Sequence, residues 1–96
     1  MASWGEVEVY NDMISDLGTF CTELGNACQV MLTAVNTCVQ LMESDKASLK
    51  ASKNVALSCQ KYEEAAELAQ KLAKALEEER NDMIEYLRKM EEIDSE

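Results

Sequence analysis

The chain lacks the residues that usually interrupt helices or divide a chain into short strands. Its 96 residues include no proline and only 3 glycines, and aromatic residues make up 5 %. Alanine, leucine, glutamate, lysine and methionine, which favour helix, are common. We therefore predict a single small all-α domain over residues 1–96, with a core of aliphatic, Met, Cys and Ala side chains.

Histidine is absent, and so are the motifs that carry most enzymatic and metal chemistry. No Gly-rich phosphate loop, Ser-His-Asp set or calcium-binding loop occurs in the sequence. The adjacent acids at 63–64 and 77–79 are explained as exposed helix residues, because nothing in the pattern predicts a cleft around them. We therefore expect a protein that is not an enzyme and that needs no cofactor.

The four cysteines are few and widely spaced. They are Cys21, Cys28, Cys38 and Cys59, and none belongs to a Cys-x-x-Cys pair. Zinc sites in proteins usually combine such pairs with one another or with histidine, so we expect no metal site. We interpret the cysteines as reduced, small apolar residues of the helix core.

The charge balance excludes several classes of partner. The formal net charge is −10, which disfavours nucleic acid and anionic membrane surfaces. No run of 18 apolar residues predicts a membrane-spanning helix, so we expect no membrane insertion. Residues 1–6 lack the basic and apolar regions of a signal peptide. We expect the protein to stay in the cytoplasm, or to be exported with a partner without a cleaved leader.

An apolar seven-residue repeat runs through the first half of the chain and predicts a long amphipathic helix. Ser3 and Glu6 have the spacing of a capping box, which places the start of the helix at about residue 4. The repeat places an apolar residue at both seam positions of five successive heptads, as helices that pack side by side require. One seam position holds Val7, Ile14, Cys21, Cys28, Val35 and Met42, and the other holds Tyr10, Leu17, Leu24, Met31 and Cys38.

The positions beside this seam are also largely apolar. About four positions in seven are apolar, whereas the seam of a two-stranded coil needs about two. One neighbouring helix cannot cover so wide a stripe, so we predict a hairpin that completes a helical bundle with a partner. The two flanks are Met13, Phe20, Ala27, Ala34 and Leu41 on one side, and Trp4, Asn11, Gly18, Gly25, Leu32 and Val39 on the other.

The repeat loses its apolar pattern near residues 43–46, where Ser44 or Asp45 can cap a second helix. We predict helix 1 over about 4–43, a turn at about 44–46 and helix 2 over about 47–93, packed antiparallel. A single uninterrupted helix is the alternative. The predicted seam of helix 2 is Val55, Cys59, Tyr62, Ala66, Ala69, Ala73, Leu76, Met83, Leu87 and Met90.

Such a hairpin concentrates acidic residues at the end where the termini meet. Residues 1–24 and 77–96 contain 14 acidic and 3 basic residues, whereas residues 25–76 contain 5 and 6. Glu8, Asp12 and Asp16 would form an acidic row opposite residues 77–82, and like charges there destabilise the fold. Either a basic partner surface covers this end, or the acidic face is simply solvated.

Two glycines and the aromatic residues are candidates for contacts with a partner. Gly18 and Gly25 lie seven residues apart on one flank, where a partner helix could approach closely; alternatively, they are tolerated weak points or a bend. Aromatic residues on the seams are interface anchors or ordinary core residues. The predicted interface residues are Trp4, Tyr10, Leu17, Gly18, Phe20, Leu24, Gly25, Met31, Leu32, Val39, Tyr62, Leu76, Met83 and Leu87.

In length, acidity, broad apolar face and pair of long helices, the chain resembles the WXG-type helical-hairpin proteins of type VII secretion and their relatives that accompany LXG toxins. That family has Trp-x-Gly in the central turn, whereas here Trp4 precedes Gly5 directly and lies near the amino terminus. The family's export signal has an acid four residues after Tyr, but Met90 follows Tyr86 at that spacing. No family residue role is therefore carried over.

The resemblance implies a partner or targeting subunit that is not an enzyme and that forms a four-helix bundle. The candidate partners are a helical amino-terminal region of a secreted effector, a sister hairpin or a second copy of the chain. A generic coiled-coil oligomerisation or adaptor module unrelated to secretion is the alternative.

Overall fold

The computed structural model describes residues 2–42 and 46–95, which form two helices. Helix α1 spans Trp4–Met42 and helix α2 spans Lys46–Ser95. All four helix ends lie within two residues of the predicted ones, and Lys46, which was predicted in the turn, is the first residue of α2. Residue 43, predicted as the last residue of helix 1, lies outside the described residues, and so do residues 44 and 45 of the predicted turn. The side chain of Met42, which the repeat places on the seam, is not described either.

The predicted capping residue begins α1. The backbone N–H of Glu6 donates a 3.2 Å hydrogen bond to Ser3 Oγ, and the N–H of Val7 donates one of 3.2 Å to the Ser3 carbonyl. The first bond satisfies one of the donors that the first turn of a helix leaves without a partner, and the second is the first backbone bond of the helix itself. The helix start that the sequence predicts is therefore confirmed.

The two helices pack antiparallel along their length. Cys21 Sγ lies 3.5 Å from the carbonyl oxygen of Ala66, and Cys28 Sγ lies 3.9 Å from that of Cys59. Nearer the termini, Tyr10 contacts Glu79. The rod measures 77 × 15 × 14 Å. The predicted all-α antiparallel hairpin is thus confirmed, and the single uninterrupted helix is excluded.

The seam of α2 follows a continuous heptad pattern, and it begins nearer the start of the helix than predicted. Buried and half-buried residues alternate at spacings of four and three for almost 40 residues, as a supercoiled seam requires. Three polar residues belong to this seam that were not predicted: Ser48, Ser52 and Arg80. The full seam is Ser48, Ser52, Val55, Cys59, Tyr62, Ala66, Ala69, Ala73, Leu76, Arg80, Met83 and Leu87.

Two residues predicted on the seams are exposed instead. Cys38 is exposed and Val39 takes its place, because a helix of 3.6 residues per turn drifts away from a strict 3.5-residue repeat. Met90 is exposed because α2, with 50 residues, extends beyond the start of α1, which has 39. The predicted seams are therefore wrong at these two positions.

The hairpin has only a small buried core. Among the described hydrophobic residues, only Val7, Cys59 and Ala69 are less than a tenth exposed. Among the seam side chains that the structure describes, every large apolar one except Val7 remains partly open, since two helices can cover only one stripe of each other. The fold therefore leaves much of its apolar surface available for other contacts.

Candidate helix-docking surface

The flanks of the two seams lie on opposite sides of the hairpin, and one side is mainly apolar. Met13 and Leu17 of α1 line a shallow depression of about 250 Å³ together with Leu72 and Leu76 of α2, so these flanks share a side. Helical periodicity places further exposed apolar residues on that side. We call this side the apolar face; its large residues are Val9, Met13, Phe20, Val30, Leu41, Leu68, Leu72, Tyr86 and Ile93.

Large apolar side chains on this face are open to solvent. Phe20 is 43 % exposed, Leu72 is 52 % exposed and Leu68 is 67 % exposed. Such residues continue along much of the 77 Å length of the rod. Contiguous apolar patches of this extent mark sites of protein contact on most folded proteins.

The opposite side contains the two glycines and is more polar; we call it the glycine face. Gly18 lies in a depression of about 340 Å³ that Gln70 and Glu77 also line. Gly25 lies in a second depression, of about 300 Å³, beside Leu32 and Glu63. No heavy atom lies within 4 Å of the position that a Cβ would take at Gly18 or Gly25. Helix α2 therefore does not approach either glycine closely.

Hydrogen bonds across the hairpin stabilise the end where the termini meet. The indole N–H of Trp4 donates a 2.8 Å bond to Glu91 Oε1, and the guanidinium of Arg80 donates a 2.9 Å bond to Asn11 Oδ1. The sequence gives no reason for Trp4 to be held within the hairpin, but the overhang of α2 supplies Glu91. The Trp4 side chain is still 43 % exposed.

The acidic row of α1 does not make the cross-hairpin contacts at this end. Glu8, Asp12 and Asp16 are exposed, and the contacts at this level come from Tyr10 and its neighbour Asn11. Glu8 and Asp12 therefore face outward, where they can be solvated or can meet a basic partner, whereas Asp16 borders the depression on the apolar face.

Two cysteines face each other at the middle of the seam. Cys28 Sγ and Cys59 Sγ each lie 3.9 Å from the other residue's carbonyl oxygen. Burial, the Cys59 thiol and the charge of Glu63 raise the pKa of Cys28 above its ordinary value of 9.0. Cys28 also borders the depression beside Gly25. The two thiols are therefore neighbours across the hairpin, a relationship that their spacing in sequence does not indicate.

The predicted interface residues divide into two groups. Nine are half-buried along the hairpin's own seam: Tyr10, Leu17, Leu24, Met31, Val39, Tyr62, Leu76, Met83 and Leu87. Five are exposed: Trp4, Gly18, Phe20, Gly25 and Leu32. Contact of either group with a partner stays a prediction, and the exposed group is the more available for it.

The predicted set omits exposed apolar residues that complete the apolar face. Met13, Leu68 and Leu72 are the clearest of these, with exposed fractions between 37 % and 67 %. The signal that could have found them is the position just outside each seam, on the side shared by α1 and α2. Using it requires knowing which flank of α2 lies beside which flank of α1, and the tertiary structure shows this.

Two other kinds of site, a metal site and a membrane-spanning helix, are not seen in the part of the chain that the structure describes. Across residues 2–42 and 46–95, no three His, Cys, Asp or Glu side chains lie close enough to hold a metal ion. In the same residues, neither helix has a stretch apolar enough to cross a bilayer. No protein-family model, curated protein or solved structure matches the chain.

Proposed function

We propose that the protein is a helical partner subunit without enzymatic activity, and that its apolar face completes a bundle with helices of another protein. A two-helix hairpin is compatible with the architecture of the WXG-type proteins, and on this resemblance we infer a role in type VII secretion. The partner would be the helical amino-terminal region of a secreted effector, or a sister hairpin. The subunit would act as a chaperone or a targeting element for that partner.

The exposed apolar face is the observation that carries this proposal. The rod is 77 Å long and about 15 Å wide, so one whole side of it is larger than the roughly 800 Å² per partner that a stable interface buries. Phe20, Leu68 and Leu72 are bulky residues that an amphipathic helix can cover. Burying such side chains stabilises association by roughly 1.5–3 kcal/mol for each one fully covered.

The charge distribution supports a particular chemistry for that partner. Residues 1–24 and 77–96 together have 14 acidic and 3 basic residues, whereas residues 46–62 contain 4 lysines and no acid. A partner helix with basic residues at the Trp4 end and acidic or neutral residues near Lys46–Lys61 would complement both ends. Such complementarity fixes orientation and speeds association more than it adds affinity.

Coexpression tests this function directly. If a neighbouring gene encodes a large protein with a helical amino-terminal region and a toxic carboxyl-terminal domain, that helical region should copurify with the hairpin in a defined complex. Phe20→Glu should release it, because the charge would be buried against apolar side chains.

The matched control is Thr19→Glu, which adds the same charge at an exposed position one residue away and away from the apolar face. It should leave the complex intact. Failure of the helical region to bind, or equal loss of binding in both variants, would contradict the proposal. A complex of the hairpin with helices of a protein that has no role in secretion would instead favour the generic adaptor.

A further inference from the structure

We propose that Cys28 and Cys59 form a disulfide site that joins α1 to α2 when the hairpin meets a small-molecule disulfide such as oxidised glutathione. This inference does not depend on the proposed function, since it concerns the hairpin's own seam. It rests on the placement of two thiols that lie 31 residues apart in the chain.

The geometry of the two residues is reciprocal. Cys28 Sγ lies 3.9 Å from the carbonyl oxygen of Cys59, and Cys59 Sγ lies 3.9 Å from the carbonyl oxygen of Cys28. Each thiol therefore reaches across the seam to the backbone of the other residue. A disulfide joins residues whose Cα atoms lie about 4.4–6.8 Å apart, and the two reciprocal contacts place each thiol beside the backbone of the other residue.

The other two cysteines lack this arrangement. Cys21 Sγ lies across the seam from the carbonyl of Ala66, a residue without a thiol, and Cys38 is exposed. The site is therefore specific to one pair of the four cysteines.

A small disulfide can reach the pair from the glycine face. Cys59 is only 8 % exposed, but Cys28 is half-buried and lines the depression of about 300 Å³ beside Gly25. No heavy atom lies within 4 Å of the position that a Cβ would take at Gly25, so the depression is open there. Cys28 is therefore the residue that the small disulfide meets first.

The reaction consists of two thiol–disulfide exchanges. The Cys28 thiolate attacks one sulfur of the small disulfide, which forms a mixed disulfide and expels one small thiolate. The Cys59 thiolate then attacks Cys28 Sγ, which forms the Cys28–Cys59 bond and expels the second small thiolate. The two cysteine protons end on the two small thiols, and the two electrons of the oxidation reduce the small disulfide.

The bond would lock the register of the hairpin at the middle of its seam. It would close a loop that contains the turn between α1 and α2, and closing a loop of this size restricts the unfolded chain. In an oxidising compartment, the two helices could then not slide past each other. The same residues would therefore lie side by side on the apolar face and on the glycine face.

The test compares two folded variants in oxidised glutathione. Cys21→Ala, Cys38→Ala retains Cys28 and Cys59; we expect a mass lower by two hydrogen atoms and a midpoint of thermal unfolding raised by on the order of 10 °C. The matched control, Cys28→Ala, Cys38→Ala, retains Cys21 and Cys59, which are one heptad or about 10 Å apart along the rod. It should remain open or form only mixed disulfides.

Circular dichroism of both reduced variants establishes that they are helical, and peptide mapping of the oxidised parent chain provides a result that is independent of the variants. A Cys28–Cys59 peptide in the parent supports the site. Two free thiols in the folded Cys28–Cys59 variant, alongside closure of the same chain in guanidinium, would overturn the proposal. Equal closure of the control variant would also overturn it.

Discussion

The hydroxyl of Tyr10 donates a 2.8 Å hydrogen bond to Glu79 Oε2 and so links the first turns of α1 to the last third of α2. Tyr10 is half-buried beside the seam, and Glu79 is an exposed acid. The bond gives one acid of the crowded end a neutral partner. It also makes the stability of this end sensitive to the ionisation of Tyr10.

The pKa of Tyr10 gives the first prediction. The hydrogen bond to Glu79, followed by burial and the charges of Glu79 and Glu6, raises this pKa above its ordinary value of 10.0. The folded state therefore favours the neutral phenol, and the contribution to stability is complete below about pH 10. It is lost as the pH rises through the raised pKa.

We expect the thermal midpoint of the parent to fall more steeply above pH 10 than that of Tyr10→Phe. Tyr86→Phe, at an exposed position, is the control and should follow the parent. Identical pH profiles for the parent and Tyr10→Phe would show that the bond to Glu79 does not contribute to stability.

Association of the isolated protein gives the second prediction. The chain should be strongly helical but should form oligomers at micromolar concentration, because the apolar face is too large to remain open in a stable monomer. Phe20→Glu should shift sedimentation-equilibrium profiles toward the monomer, whereas Thr19→Glu should not. A cooperatively folded parent whose mass stays that of a monomer at every concentration would contradict this.

The glycine face gives the third prediction. Ala at Gly18 or Gly25 should raise the free energy of unfolding by about 0.8–1 kcal/mol each, because both lie inside a helix and a Cβ meets open space. Leu should also be accommodated in the hairpin itself. If a partner helix lies close to the glycines, Leu should weaken that association by about 1–3 kcal/mol through overpacking while helicity holds.

Isothermal titration with the partner separates the two interpretations of the glycines. A Gly18→Leu, Gly25→Leu variant that binds as tightly as the parent would refute close approach. It would leave Trp4 and Phe20 as the anchors.

Arg80 gives the fourth prediction. It occupies a seam position, and its buried Nε–H has no hydrogen-bond partner, although Nη1 bonds to Asn11 and Nη2 to Asn81. An unsatisfied buried donor costs roughly 1–3 kcal/mol. Arg80→Met should therefore raise the free energy of urea unfolding by about 1 kcal/mol, since it keeps an unbranched chain of similar reach and removes the donor.

Arg80→Ala is the comparison for this prediction. It removes the donor and the packing of the side-chain stem together, so it should not give the gain that Met gives. If Met destabilises the hairpin as much as Ala does, the bonds to Asn11 and Asn81 outweigh the unsatisfied Nε–H.

The apolar heptad repeat of the sequence is sufficient to predict the two-helix fold. Ser3 marks the start of α1, the heptads from Val7 to Val35 define its seam, and the loss of the pattern near residue 43 separates the two helices. These features are local, because helix start, period and length depend on residues a few positions apart. The wide stripe of α1 likewise predicted that a hairpin alone would leave apolar surface uncovered.

Only the tertiary structure decided which residues of α1 meet which residues of α2. The contacts of Cys28 with Cys59, Tyr10 with Glu79 and Trp4 with Glu91 all depend on the register of the antiparallel pair. A heptad repeat is satisfied by many registers that differ by whole heptads, because each keeps the same stripe against the partner helix. Sequence periodicity therefore specifies the seam of each helix but leaves their relative position to the packing of the folded chain.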